Sequence, residues 1–257
     1  MDEFPRPIRL PGEPPLPREP DARDQLHEPP LPREPHERDH REPPDVVDED
    51  IDLFGAEEAA ARLAERLEHM QPGAVRVAED GRPLLSPPVE PTRDRVGGPA
   101  RGRATLVVFG AYGTPSSRPL GKVLAHVRER HPSTVVVAWR HYPDPVAHPR
   151  APVLALAAEA AASLGRFWAL TRELLQMRHD DPADVHAAML RAGLDPERAL
   201  EAMRAGTGAD RIVDDVASAV ASGVTYSPAL FVNGERYPGE LDPAAVTAVL
   251  EAAPPPA

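Results

Sequence analysis

"LVVFGAYGTPSSRPLGKVLAHV" (residues 106–127) passes from an apolar, β-branched run through a turn bearing Gly113 and Pro115. It then becomes a segment in which Leu120, Val123, Leu124 and Val127 recur at helical spacing. A second apolar run, "TVVVAWR" (134–140), follows after a few polar residues. Two short buried runs joined by one helix predict a parallel strand pair with a right-handed crossover. The turn before the helix offers Thr114, Pro115, Ser116 and Ser117, and the chain has no cysteine anywhere. Disulfides, thiolate metal sites and cysteine nucleophiles are therefore excluded for this chain's own side chains.

Downstream, the alanine-rich stretch from Ala151 to Gly223 is broken at Gly165, "DDPAD" (180–184), "GLDPE" (193–197) and "GTGAD" (206–210). These breaks predict four or five helices, several opening on an aspartate followed by proline. "PALFVNGERYPG" (228–239) predicts two short strands around Asn233-Gly234. "DPAAVTAVLEAA" (242–253) closes as a helix, with Asp242 as its N-cap.

Upstream, "LFGAEEAAARLAERLEHM" (53–70) places Leu53, Ala56, Ala60, Leu63, Leu67 and Met70 near one helical face. "VRVAEDGRPLL" (75–85) has a hairpin signal at Asp80-Gly81, weakened by Pro83, and 86–104 reads as a linker or an ordered lead-in. Residues 1–50 hold 13 of the 34 prolines, with 15 acidic against 7 basic side chains. Such a stretch buries too little apolar surface to offset its ordering entropy and is expected to be disordered. Within it "EPPLPREPDARD" (13–24) returns as "EPPLPREPHERD" (28–39), either a solvated polyproline spacer or a ligand for an aromatic groove. His36 and His40 stand four apart, but the surrounding prolines disfavour the helix a metal pair would need.

The formal net charge of -12 over 257 residues argues against nucleic acid and anionic membrane surfaces, which require clustered basic residues. No segment approaches the run of about 20 apolar residues that spans a bilayer. The start "MDEFPRPIRLPGEPP" has no signal-like apolar stretch, so a cytoplasmic location is expected.

The order strand, helix, strand, helical insert, hairpin and helix is the thioredoxin topology with a helical domain inserted in its middle. Three stretches carry a further resemblance: "RDRVGGPARGRATLVVFGAYGTPSS" (93–117), "WRHYPDPVAHPRAPVLALAAEAAASLGRFWALTRELL" (139–175) and "GVTYSPALFVNGERYPG" (223–239). In them the chain resembles the DsbA family of thioredoxin-like proteins, most of all the thioredoxin-like domain fused to some bacterial sodium/proton antiporters. The expected organisation is a tail (1–50), a helix with a hairpin lead-in (51–95) and a thioredoxin-like domain (96–253) with its helical insert at about 149–223.

The resemblance implies that Thr114 and Ser117 occupy the positions of the family's Cys-Pro-x-Cys cysteines. A cysteine there gains from the helix N-terminus, which lowers its pKa from about 8.5, whereas a hydroxyl in the same field keeps its proton. Thiol–disulfide exchange is therefore not expected. One reading of Thr114 is an N-cap whose oxygen accepts a backbone N–H, with Ser117 a first-turn helix residue. The alternative is that both hydroxyls hold the thiolate of an exogenous small thiol, as the serine turn of kappa-class glutathione transferases does.

The resemblance also implies that Pro228 in "TYSP" is cis and faces the turn, beside Tyr226 and Ser227. The expected function is a redox-inactive peptide- or protein-binding module using Thr114, Pro115, Ser116, Ser117, Tyr226, Ser227 and Pro228. A thiol-dependent transferase and a scaffold acting through the tail are the alternatives. No cofactor is expected, nor a metal at His141 and His148, which lack a third ligand at suitable spacing. Phe167 and Trp168 are expected to pack in the core. Limited proteolysis is expected to degrade residues 1–50 first and to leave about 96–253 intact; equal protection of the two would contradict this organisation.

Overall fold

The computed structural model describes residues 54–70 and 73–254. The proline-rich tail, its repeat, His36, His40 and Leu53 lie outside the described residues. At the centre, β2 (Ala104–Gly110) and β3 (Val135–His141) are parallel, with Leu106 opposite Val137 and Val108 opposite Trp139. The crossover between them is α2 (Ser117–Arg130). β4 (Ala229–Val232) lies antiparallel to β2 on its other side, and β5 (Glu235–Arg236) pairs with β4 around Asn233 and Gly234. β1 (Arg95–Gly97) pairs antiparallel with β3, which gives a five-stranded sheet in the order β1-β3-β2-β4-β5.

The two faces of β2 enter different cores, because successive strand side chains point opposite ways. Leu106 and Val108 meet Leu120, Val123 and Val127 of α2, and Val246 and Leu250 of α8 (Pro243–Ala252). Val107 and Phe109 face Phe231, Ala219 and Leu85 on the opposite side. Gly110 ends β2 so close to Trp139 that an added Cβ would lie 2.4 Å from the indole. A side chain there would force the parallel strands apart at the mouth of the active turn.

The alanine-rich stretch folds as α3 (Ala151–Ser163), α4 (Phe167–Gln176), α5 (Pro182–Arg191), α6 (Pro196–Arg204) and α7 (Ala209–Ala221). Asp181, Asp195 and Asp242 cap α5, α6 and α8 through their side chains, each with proline next in the chain. α1 (Phe54–Glu68) buries Ala56, Ala60, Leu63 and Leu67, with Met70 half-buried, and joins the same core as α3 and α6. Phe167 is buried, and Trp168 packs beside it and donates its indole N–H to Val96 O at 2.9 Å.

The segment 75–85 turns at Gly81 (φ 81°) but forms a single bridge, Val77 to Pro83, rather than a ladder. The Arg76 amide, which would extend it, donates to Ala221 O at 2.9 Å instead. Residues 86–94 are an ordered lead-in anchored by a buried arginine on β3. Arg140 Nε donates to Asp94 Oδ1 at 2.6 Å, and Arg140 Nη2 donates to Asp94 Oδ2 at 3.1 Å. Arg140 Nη1 donates to Ser218 Oγ at 2.8 Å and Pro87 O at 3.0 Å, and Nη2 reaches Pro88 O at 3.2 Å.

Both side chains of the Arg140–Asp94 pair are fully buried. Removing one partner strands the other charge without water, which costs about 3 to 5 kcal/mol. Asp94→Ala is therefore expected to lower the urea midpoint by that stability difference. A loss confined to a few tenths of a kcal/mol would show that the anchor is dispensable.

Candidate functional site

The turn between β2 and α2 is closed by its own hydroxyls. The helix begins at Ser117, and its N-cap residue is Ser116, which makes no side-chain cap. Thr114 is thus not the N-cap expected from its type, since its side chain accepts no helix N–H. Instead the Ser117 amide donates to Thr114 O at 3.0 Å, a backbone turn that removes the need for a side-chain cap.

Ser117 is buried, and its Oγ donates to Ala111 O at 3.2 Å while accepting the Thr114 amide at 3.0 Å. Thr114 Oγ1 lies 3.1 Å from Ser117 Oγ and 3.5 Å from Ser116 Oγ. A serine hydroxyl has one proton and two acceptor sites. Because the Ser117 proton goes to Ala111, the Thr114 hydroxyl donates to Ser117, and both hydroxyl protons are committed inside the turn. Pro119, in the first turn of α2, further removes one of the free N–H donors that an anion would use.

Opposite the turn stands the loop Thr225-Tyr226-Ser227-Pro228, with the Ser227–Pro228 bond cis, as the resemblance implies. Among the described residues, no hydrogen bond engages the backbone N–H or C=O of Thr225, Tyr226 or Ser227. Thr114, Ala111, Tyr226 and Ser227 line one cleft of about 400 Å³, together with Leu67 and Met70 beyond α1 and the loop after β3. Tyr226 is 64 % exposed, and the Arg236 guanidinium lies 5.3 Å from its ring centroid. Pro115 and Ser117 border a second depression with Arg118 and residues 177–181, and Thr114 belongs to both.

Beneath the turn lies a buried charge network. Trp139 Nε1 donates to His141 Nδ1 at 3.2 Å, so the imidazole proton sits on Nε2 and is donated to Glu159 Oε1 at 3.0 Å. Arg95 grips both Glu159 oxygens, with Nε at 3.1 Å from Oε1 and Nη2 on Oε2. The His141 amide donates to Asp215 Oδ2 at 3.0 Å. Burial pushes the Glu159 carboxyl up, but the hydrogen bonds from His141 and Arg95 outweigh it and hold the pKa down at about 2. Burial raises Asp215, against the opposing pull of His141.

The candidate residues therefore divide. Thr114, Tyr226 and Ser227 meet at the cleft, Ser117 is sealed beneath it, and His141 and His148 serve different surroundings. His148 lines the cleft, whereas His141 is enclosed with Glu159 and Asp215. Sequence reasoning missed Asp94, Arg95, Arg140, Glu159 and Asp215. Two carried a signal: Arg140 interrupts an apolar strand, and Glu159 stands alone in "APVLALAAEAAAS".

No protein-family profile matches the chain. It is 36% identical over 168 residues to Na(+)/H(+) antiporter NhaA 1 of Mycolicibacterium gilvum, a match covering 64% of this chain and 27% of that one. It is also 36% identical over 197 residues to Na(+)/H(+) antiporter NhaA 3 of Salinispora tropica, covering 75% and 30%. The chain thus spans less than a third of these relatives' length.

Among solved structures, a thioredoxin-like oxidoreductase from Silicibacter pomeroyi superposes with a TM-score of 0.57 at 23% identity, covering 63% of this chain and 92% of that one. Oxidised BdbD from Bacillus subtilis gives a TM-score of 0.57 at 17% identity, covering 70% and 97%. The fold is accordingly thioredoxin-like, and the resemblance to DsbA-like proteins and to part of these antiporters stands.

A carboxyl held at about 2 in the folded state, against an ordinary 4.5, stabilises the fold above pH 4.5 and loses that contribution as pH falls toward 2. Glu159→Gln is expected to cost about 3 kcal/mol at neutral pH, the scale of breaking a buried pair. In urea titrations the gap between wild type and variant should narrow below pH 4.5. A gap that does not change with pH would contradict the ionised Glu159.

Proposed function

We propose that the protein is a redox-inactive binding module of thioredoxin-like fold that receives an extended peptide or protein segment at the cis-proline loop. The observation that carries this is the contrast across the cleft. On one side the hydroxyl protons of Thr114 and Ser117 are spent inside the turn. On the other, the backbone of Thr225–Ser227 is left without partners among the described residues. An incoming extended segment satisfies such backbone groups by adding as a strand. Thr114, Ser116, Tyr226, Ser227 and Pro228 provide the surface, and Pro115 and Ser117 support it.

The thiol-transferase reading fares worse on the same geometry. A bound thiolate gains only from donors; here both side-chain protons point elsewhere and Pro119 supplies none, which leaves the Ser116 and Arg118 amides as the turn's remaining donors among the described residues. Antiport forms no part of the proposal, because the chain matches only 27% of the length of the antiporter from M. gilvum. We place the module in the cytoplasm. One solved neighbour is described as a periplasmic thioredoxin-like protein, so fractionation against the periplasm is the check on compartment.

With no cysteine to form or break a disulfide, the purified protein is expected neither to reduce insulin nor to oxidise a dithiol peptide. The same assay on Thr114→Cys/Ser117→Cys should register activity, since the two side chains already touch. Calorimetric titration with glutathione should show no saturable binding. Saturable micromolar binding lost in Ser117→Ala would replace the module by a transferase.

A further inference from the structure

The cleft beside the cis-proline loop has a chemical character of its own. Its floor is apolar, formed by Leu67, Met70, Val216 and Val220, and among the described residues no lysine or arginine lines it. Two of its lining residues, Val146 and Tyr226, are large apolar side chains standing 79 % and 64 % exposed. Exposed apolar groups lining one hollow leave unfavourable hydration that a partner would relieve.

The carboxylates lining the cleft are Glu68 and Asp144, with Tyr142, His148 and Tyr226 the other titratable side chains there. Among the described residues neither carboxylate has a cationic partner, and the Asp144 side chain accepts only the Val146 and Ala147 amides. Arg236 is turned over the rings of Tyr226 and Phe231. Among the described residues, none of the exposed ion pairs of the fold involves a residue of this rim. An anionic segment would meet uncompensated like charge here, and a basic one would be steered in.

Building on the binding-module reading, we infer that the cleft selects an extended protein segment in which large apolar side chains are flanked by lysine or arginine. The apolar side chains fill the trough over Leu67 and Val220. The segment's backbone pairs with Thr225–Ser227, and its basic flanks answer Glu68 and Asp144. The acidic rim equally disfavours an anionic membrane surface as the occupant.

The test uses the full chain and three fluorescent peptides with a common Leu-Val centre, flanked by lysines, glutamines or glutamates, followed by anisotropy. The lysine peptide is expected to bind about tenfold more tightly than the glutamine peptide in low salt, and the difference should shrink as salt rises from about 0.01 to 0.15 M. Glu68→Gln/Asp144→Asn keeps both shapes and the Asp144 acceptor while removing the charges. It should erase the lysine advantage without weakening the glutamine peptide.

Equal affinity for all three peptides, or preference for glutamates, would overturn the charge selection and leave the binding module standing. Binding by none of them, with the thermal transition intact, would overturn both. Peptide affinity that falls as protein concentration rises would put a second copy in the cleft instead and would equally overturn the inference.

Discussion

A parallel strand pair whose side chains are apolar on both faces must be covered on both, and this constraint shapes the rest of the molecule. β2 and β3 are buried almost along their whole length. One face is covered by α2, α8 and the inserted helices. The other receives α7 and the lead-in that carries Leu85. A lead-in lying over a sheet brings backbone carbonyls into the interior, and buried carbonyls need donors. Arg140 supplies them at Pro87 and Pro88 and is itself neutralised by Asp94. The buried arginine is thus a consequence of covering the second face with irregular chain.

The same reasoning explains why charge lies beneath the turn. α3 is apolar around its entire circumference apart from Glu159, so a carboxylate there is tolerable only if it is fully paired. His141 from the end of β3 and Arg95 from β1 provide the pairing, and Asp215 from α7 fixes the His141 amide. Four elements that share no local sequence, α3, β3, β1 and α7, are tied at one point behind the β2–α2 turn. The turn is braced from below through Tyr112, which stacks on Trp139 and meets His141 edge-on, while its hydroxyls knit it from within. Rigidity of this kind suits a surface that presents shape to a partner, and it needs no reactive group.

Much of this architecture was legible because it rests on local signals. The β-branched runs at 104–110 and 134–140, the Asn233-Gly234 hairpin and the Asp-Pro helix starts each became the expected element. The candidate site was legible only as a set of positions. Thr114 looked like a cap because threonine commonly is one, but the Thr114 carbonyl took the Ser117 amide and left the side chain for another use. That choice is settled by the path of the turn, which periodicity does not encode. The long-range ion pairs were invisible for the same reason: Asp94 and Arg140, or Arg95 and Glu159, become neighbours only after the sheet has formed.

The absence of cysteine removes one requirement on the site and leaves another exposed. A redox turn must keep its attacking group reachable and its donors free to stabilise a thiolate. Ser117 is instead buried, with its proton given to Ala111. The cis-proline loop has undergone no comparable closure, since Tyr226 still projects into solvent and the Thr225–Ser227 backbone is still unpaired among the described residues. Leaving amides and carbonyls bare beside an apolar trough costs little while water reaches them, and they are then available to a segment that displaces it. The two halves of the cleft therefore differ in what they offer: the turn is closed on itself, and under the proposed binding role recognition would rest with the loop and the acidic, apolar walls facing it.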